Sequence, residues 1–178
     1  MTEPANATHL VLTGLLESDA PRLQEWRRDP DILNGALGYP FPSSLAAELE
    51  WIRSFTPRGT PQDICLAVRA SADGVLLGYC LLRSIDWIAR VAEFGIVVGP
   101  ESRGSGVGRA SLDLVKDYAT RQLALRRIWL RVVDYNSRAI ELYRSSGFEL
   151  EGRLPRHVYR AGSLHDLLVF GWEAGPAR

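Results

Sequence analysis

Lysine is almost missing from this 178-residue chain: of its 21 basic residues only Lys116 is not an arginine. The skew is read as a codon-composition effect rather than as a phosphate-binding surface. Acidic and basic residues balance at 21 each, and no basic tail or stripe stands out, which disfavours nucleic acid as a main partner. Two cysteines, Cys65 and Cys80, make neither a disulfide framework nor a zinc site. His9, His157 and His165 are too scattered to form a ligand set, so no metal is expected. No apolar run approaches the ~20 residues of a membrane span. The first residues, Met1 to Thr8, lack the basic start and apolar segment of an export signal, so a cytoplasmic location and no membrane partner are expected. What the chain does have is 46% hydrophobic residues and five tryptophans, enough for a folded core. With no linker, repeat or low-complexity tract, residues 1–178 read as one domain.

Punctuation by Gly, Pro and Ser divides the chain. Thr8 to Leu15 reads as a strand. Ser18 is a candidate N-cap for a helix that carries Pro21, Leu23 and Trp26 and stops before Asp29-Pro30. Gly35 to Ser44 reads as loop. Ser43 or Ser44 caps a second helix with Leu45, Leu49, Ile52 and Phe55 on one stripe. Ile64–Ala70 and Val75–Arg83 form a hairpin around Ser71-Ala72-Asp73-Gly74, and Val91–Val98 is a third strand antiparallel to the second. A third helix keeps Val107, Ala110, Leu114 and Tyr118 on one face. Arg127–Val133 is a strand, and Asn136–Ser145 is a fourth helix ended by Gly147. Leu150–Tyr159 and Leu164–Trp172 are two last strands around Ala161-Gly162. The fold class is α/β in the α+β sense: a mixed, mostly antiparallel sheet of about seven strands with about four helices. Only Val91–Val98 and Arg127–Val133 are joined by a helical crossover, so only that pair should be parallel.

The segment Arg103-Gly104-Ser105-Gly106-Val107-Gly108-Arg109 follows a strand and opens a helix. Glycines let backbone N–H groups approach a ligand, and the helix start adds partial positive charge, a combination suited to a pyrophosphate. Arg103 and Arg109 add charge-assisted donors. A P-loop is excluded because Arg109-Ala110 stands where Lys-Ser/Thr is required. A dinucleotide fingerprint fits poorly, because Arg109 occupies the place of its third small residue.

Arg103-x-x-Gly106-x-Gly108 resembles the acyl-CoA pyrophosphate motif of the GNAT superfamily of N-acetyltransferases. Asn136-Ser137-Arg138-Ala139-Ile140-Glu141-Leu142-Tyr143-Arg144-Ser145-Ser146-Gly147-Phe148 resembles that family's second signature, and Glu151-Gly152-Arg153 with Gly162-x-x-x-Asp166 continue the match. The features suit the branch of ribosomal-protein N-terminal and spermidine N-acetyltransferases; the resemblance is strong from Val91 to Trp172 and weak before it.

The resemblance implies direct acetyl transfer from acetyl-CoA to a primary amine of a small molecule, amino sugar, polyamine or peptide N-terminus. It implies a GNAT-like domain in which the parallel strands splay to hold CoA. Ile96, Val97 and Val98 would supply backbone to the cofactor. Arg103, Gly104, Ser105, Gly106, Val107, Gly108 and Arg109 would hold its pyrophosphate, and Asn136, Arg138 and Tyr143 would line its length. Tyr143, two helical turns from Asn136 on the same face, is the candidate proton donor to the leaving thiolate; the plain alternative is core packing. Glu93, a carboxylate in an apolar strand, is the candidate general base; its plain alternative is an ion pair with an arginine such as Arg90. Trp26, Asp31, Tyr39 and Trp87, with Arg156 and Tyr159 from the other side, are the candidate acceptor residues. The early helices hold few carboxylates, which weighs against a polyamine. An apolar final hairpin, Leu150–Trp172, is expected to be covered by a second copy in a homodimer. Two rival functions remain: a non-catalytic acyl-CoA-binding module, and a nucleotide-dependent oxidoreductase.

Overall fold

This computed structural model describes residues 9–35, 41–55 and 60–175. The elements in chain order are β1 (Leu10–Thr13), α1 (Ala20–Trp26), α2 (Pro30–Gly35), α3 (Leu45–Ser54), β2 (Ile64–Ala70), β3 (Leu76–Asp86), β4 (Val91–Val98), α4 (Val107–Arg121), β5 (Arg127–Val133), α5 (Ser137–Ser145), β6 (Glu149–Arg160) and β7 (Ser163–Glu173). The strands form one seven-stranded sheet in the order β1-β2-β3-β4-β5-β7-β6. Every neighbouring pair is antiparallel except β4 with β5. That pair is matched only at Val91↔Arg127, Ala92↔Ile128 and Glu93↔Trp129. Past Glu93 the two strands part, while β4 stays paired with β3 as far as Val98. A wedge therefore opens in the middle of the sheet.

Each face of the sheet buries its own core. On one face Leu82, Phe94, Ile128 and Leu130 pack with Leu112, Val115 and Ala119 of α4 and Tyr143 of α5. On the other, Cys65, Ala67 and Tyr79 pack under Ala20, Leu23, Trp26 and Ile52. Each fully buried aliphatic side chain contributes about 1.5–3 kcal/mol relative to exposure, so alternation along β2 and β3 fixes which residues face which layer. The two cysteines sit in different layers and are buried; burial pushes the Cys65 thiol up to about 12 and the Cys80 thiol higher still. Among the described residues no helix is long and apolar enough to cross a membrane.

Three sequence expectations need correction. There are five α-helices among the described residues rather than four, because Asp29-Pro30 begins a helix as well as ending one. Asp29 Oδ1 accepts the Ile32 N–H at 3.0 Å, and Pro30, which has no N–H to satisfy, takes the first turn. Ser18 is not a cap: it lies in a 3₁₀ turn, and the Asp19 carboxylate closes that turn by accepting the Leu16 N–H at 2.7 Å. The buried face of α4 is Val107, Ser111, Leu112, Val115 and Ala119, with Ala110 exposed. Ser111 tolerates burial because its hydroxyl donates to the Val107 carbonyl at 2.6 Å. Ser44, by contrast, caps α3 as expected, accepting the Ala47 N–H at 3.2 Å.

Candidate active site

The wedge leads into a cavity of about 790 Å³ walled by α2, the end of β4, the glycine loop, β5, α5 and the turn between β6 and β7. Its most regular feature is backbone. Gly104 (φ 78°) and Gly106 (φ 84°) take left-handed conformations that turn the chain sharply into α4. No side chain caps α4. From Gly104 through Arg109, no backbone N–H donates to a described residue. At a helix start, such a run of unsatisfied donors together with the helix dipole makes an anion site. Gly108 lies close enough to the cavity wall that a Cβ there would stand 3.4 Å from Leu142 and 3.7 Å from Val98. A slender ligand passing from the loop toward the wedge would run along that contact.

Tyr143 stands at the inner end. It is 6% exposed and lies beside Phe148 and Phe170, with ring centroids 5.9 and 6.5 Å away. Its hydroxyl makes no hydrogen bond to a described residue, and the residue lines the cavity. Burial pushes its phenol well above the ordinary tyrosine value, so it is protonated at neutral pH.

The other predicted residues divide into those the cavity gathers and those it does not. Ile96, Val97, Val98, Gly104, Gly106 and Gly108 line it, as do Arg103, Arg109, Asn136 and Arg138. Ser105 does not: its hydroxyl donates to the Ser102 carbonyl at 2.7 Å. The Val107 side chain belongs to the core. Arg103 is committed to Asp29 and Asp31, its Nη1 standing 2.9 Å from Asp31 Oδ2. This guanidinium holds the Asp29 carboxyl below the usual carboxylate range. Asn136 caps α5, its Oδ1 accepting the Ala139 N–H at 3.2 Å.

Glu93 is buried and does not line the cavity. Arg131 Nε donates to its Oε1 at 2.9 Å, and Arg83 lies 3.6 Å away; Arg90 is not its partner. Among the described acceptor candidates only Asp31 lines the cavity. Trp26 is core, packed so tightly that a methyl group on Gly99 would overlap its ring. Trp87 donates its indole N–H to the Pro61 carbonyl at 2.9 Å. Tyr159 is 65% exposed, and the Arg156 N–H is held by Asp166 at 2.7 Å; neither lines the cavity. Tyr39 lies outside the described residues.

In their place stand residues the sequence reading passed over. Asn34 and Gly35 end α2, and the Tyr135 hydroxyl donates to the Asn34 carbonyl at 2.7 Å. Arg131, Arg160 and His165 complete the wall. The signal for Arg131 was the one used for Glu93, a charge inside an apolar strand.

A family model described as Acetyltransferase (GNAT) domain matches residues 9–149. The chain belongs to this family. The spermidine N(1)-acetyltransferase of Vibrio cholerae is 36% identical over 92 residues, 52% of this chain and 53% of that protein. The chain thus matches about half the length of that relative. The L-amino acid N-acetyltransferase AaaT of Escherichia coli K12 is 25% identical over 161 residues, 89% of this chain and 94% of that one. Among solved structures, the spermidine N-acetyltransferase from Vibrio cholerae in complex with CoA and spermine superposes with a TM-score of 0.85 at 26% identity. That match covers 94% of this chain and 96% of the other.

Proposed function

We propose that this protein transfers the acetyl group of acetyl-CoA directly to a primary amine. The observation that carries the reading is one cavity joining the unpaired N–H groups of Gly104–Arg109, the wedge between β4 and β5, and the Tyr143 hydroxyl. The loop suits a pyrophosphate, and Arg138 and Arg109 add charge beside it. The unpaired flank of Ile96–Val98 offers backbone groups to a pantetheine chain and its thioester. The family relatives, named for spermidine and for L-amino acids, support a primary amine and divide on its charge.

Acetyl-CoA supplies an activated acyl group when bound. In the net change a C–S bond breaks and a C–N bond forms. An alkyl ammonium has a pKa near ~10 and sheds two protons on becoming a neutral amide. One ends on the thiol and the other in solvent. Tyr143 is protonated and faces the cavity, so it holds the proton for the leaving sulfur. Donors along β4 steady the carbonyl oxygen as charge gathers on it.

The test is incubation with acetyl-CoA and a panel of amines: L-amino acids, spermidine, an amino sugar and a short peptide. Free thiol and acetylated product should appear together, and only with an accepted amine. Tight CoA binding with thiol release at the no-amine rate for every acceptor would overturn the reading in favour of an acyl-CoA-binding module. Stabilisation by NAD(P) rather than acetyl-CoA would favour the oxidoreductase.

The same reading includes self-association and a compartment. Strand β6 is the sheet edge, with Leu150, Leu154 and Tyr159 exposed along it and Leu164 just beyond. An apolar edge of this kind is stabilised by a partner, and a homodimer through β6–β7 is proposed. A light-scattering mass of one 19.8 kDa chain at micromolar concentration would contradict it. The cytoplasm is the proposed compartment.

A further inference from the structure

We propose that Arg131 is the specificity-determining cation of the acceptor site, and that the amine this enzyme acetylates carries an anionic group, a carboxylate or a phosphate. The proposal rests on the acetyl-transfer reading and names its substrate class.

The cavity lining is mostly basic, with Asp29 on Arg103 and Asp113 on Arg109 just outside it. Its described lining includes five arginines, Arg103, Arg109, Arg131, Arg138 and Arg160, against one carboxylate, Asp31. Asp31 is already ion-paired with Arg103. Three of the arginines belong to the cofactor end. Arg103 and Arg109 flank the glycine loop, and Arg138 Nη2 lies 3.9 Å from where a Gly104 Cβ would stand. Asp29 and Asp31 hold Arg103, and the phosphates of CoA would lie against Arg109 and Arg138.

Arg131 is elsewhere. The last parallel pair is Glu93↔Trp129, so Arg131 stands two residues further along β5, across the wedge from Gly95. Alternation puts it on the same sheet face as Glu93 and Trp129. The acyl end of the cofactor would reach this place, and an acceptor must approach it there.

The guanidinium is held ready for an anion. Glu93 Oε1 accepts from its Nε at 2.9 Å, and its Cζ lies 5.8 Å from the Trp129 ring. Its Nη1 makes no hydrogen bond to a described residue, and its side chain is 36% exposed. One carboxylate does not neutralise this spot. Glu93 is directly opposite Arg83 in β3, and the same Oε1 serves both arginines. Two guanidiniums on one carboxylate leave a net positive charge beside the closed end of the wedge. A polycationic amine meets repulsion here, whereas a carboxylate or phosphate beside the amine meets an oriented, planar, two-donor partner. Glu93 is on this view a positioning residue: it fixes the Arg131 fork from behind.

The experiment compares matched acceptors that differ only in the anion: L-alanine with L-alaninamide, and O-phosphoethanolamine with ethanolamine, with spermidine alongside. The ratio of kcat/KM within each pair is measured for the native protein, Arg131→Gln and Arg131→Lys, each checked for an unchanged melting temperature. The native enzyme should prefer the anionic member of one pair, and which pair identifies carboxylate or phosphate. Arg131→Gln should cut that ratio by about ten- to a hundredfold, the effect of losing a charge-assisted hydrogen bond. Arg131→Lys should restore part of it. The change of ratio decides, because the two amines of a pair differ in basicity. A ratio unmoved by Arg131→Gln, or spermidine turned over better than either anionic amine, would overturn the proposal. If no amine is acetylated although CoA binds, the transfer reading has failed instead. L-alanine and inorganic phosphate are then titrated into the CoA-loaded protein. Binding that Arg131→Gln abolishes supports an anion site at Arg131, and absence of binding by both probes overturns it.

Discussion

The two ends of the cavity work by different means. At the end proposed for the cofactor the chemistry is in the backbone: Gly104 and Gly106 set the turn, and the N–H groups that follow need no particular side chain. At the end proposed for the acceptor it is in side-chain charge: Arg131 rests on Glu93, which Arg83 also reaches. A backbone site depends on a short local run of sequence. A charge site depends on residues far apart in sequence being brought together, and one substitution can redirect it. One family can thus keep a common cofactor and vary its acceptors.

The sharpest way to break the backbone end is Gly106→Asp. Aspartate tolerates a left-handed conformation and can cap α4 with its own carboxylate, so the fold should survive. The carboxylate then occupies the donors proposed for the phosphate. CoA affinity by calorimetry should fall by about a hundredfold or more; unchanged affinity would move the pyrophosphate elsewhere.

Away from the cavity, Arg27→Ala leaves the Glu48 carboxylate, 1% exposed, without its cation. Arg27 is itself partly exposed, so the cost should sit near the lower limit for breaking a buried pair, about 2–3 kcal/mol. That corresponds to a drop in melting temperature of about 5–10 °C. Replacing both partners with leucine and methionine should recover most of it.

A smaller effect is expected from Lys116→Met. Lys116 lies 4.9 and 4.7 Å from the Phe148 and Trp172 rings, and burial lowers its ammonium pKa. Losing these contacts should cost about 1 kcal/mol in melting experiments, with CoA affinity retained.

The smallest effect concerns the seam between the two ends. The hydrogen bond from Arg103 holds Asp29 below its unfolded value of about 3.9. The stability it adds is therefore present above that value and lost as pH falls through the lower folded one. Asp29→Asn should shrink the fall in melting temperature between pH 5 and pH 3. An unchanged slope would remove the Asp29–Arg103 pair from the account.

The same contrast governs what the sequence made legible. The glycine loop and the Asn136–Phe148 run could be read because each is contiguous, and periodicity located β4, β5 and the final hairpin. Helix α2 could not, because Asp29-Pro30 is a stop signal and a start signal at once. The charge pairs around the cavity could not either: Arg103 pairs with carboxylates 72 and 74 positions away, and any of twenty arginines was a formal partner. Trp26 and Trp87 are acceptor candidates by sequence, but core packing and a carbonyl partner hold them. For Glu93 the sequence left a base and an ion pair open; folding put Arg83 and Arg131 against it.

The central claim is that cofactor binding rests on backbone donors while the leaving proton rests on one hydroxyl. Tyr143→Phe tests it when CoA affinity and acetyl-transfer turnover are measured on the same preparation with an accepted amine. The account predicts affinity within about threefold of native and turnover reduced by about tenfold to ten-thousandfold, the range for losing a general acid. Native turnover, or affinity that falls in step with turnover, would contradict it.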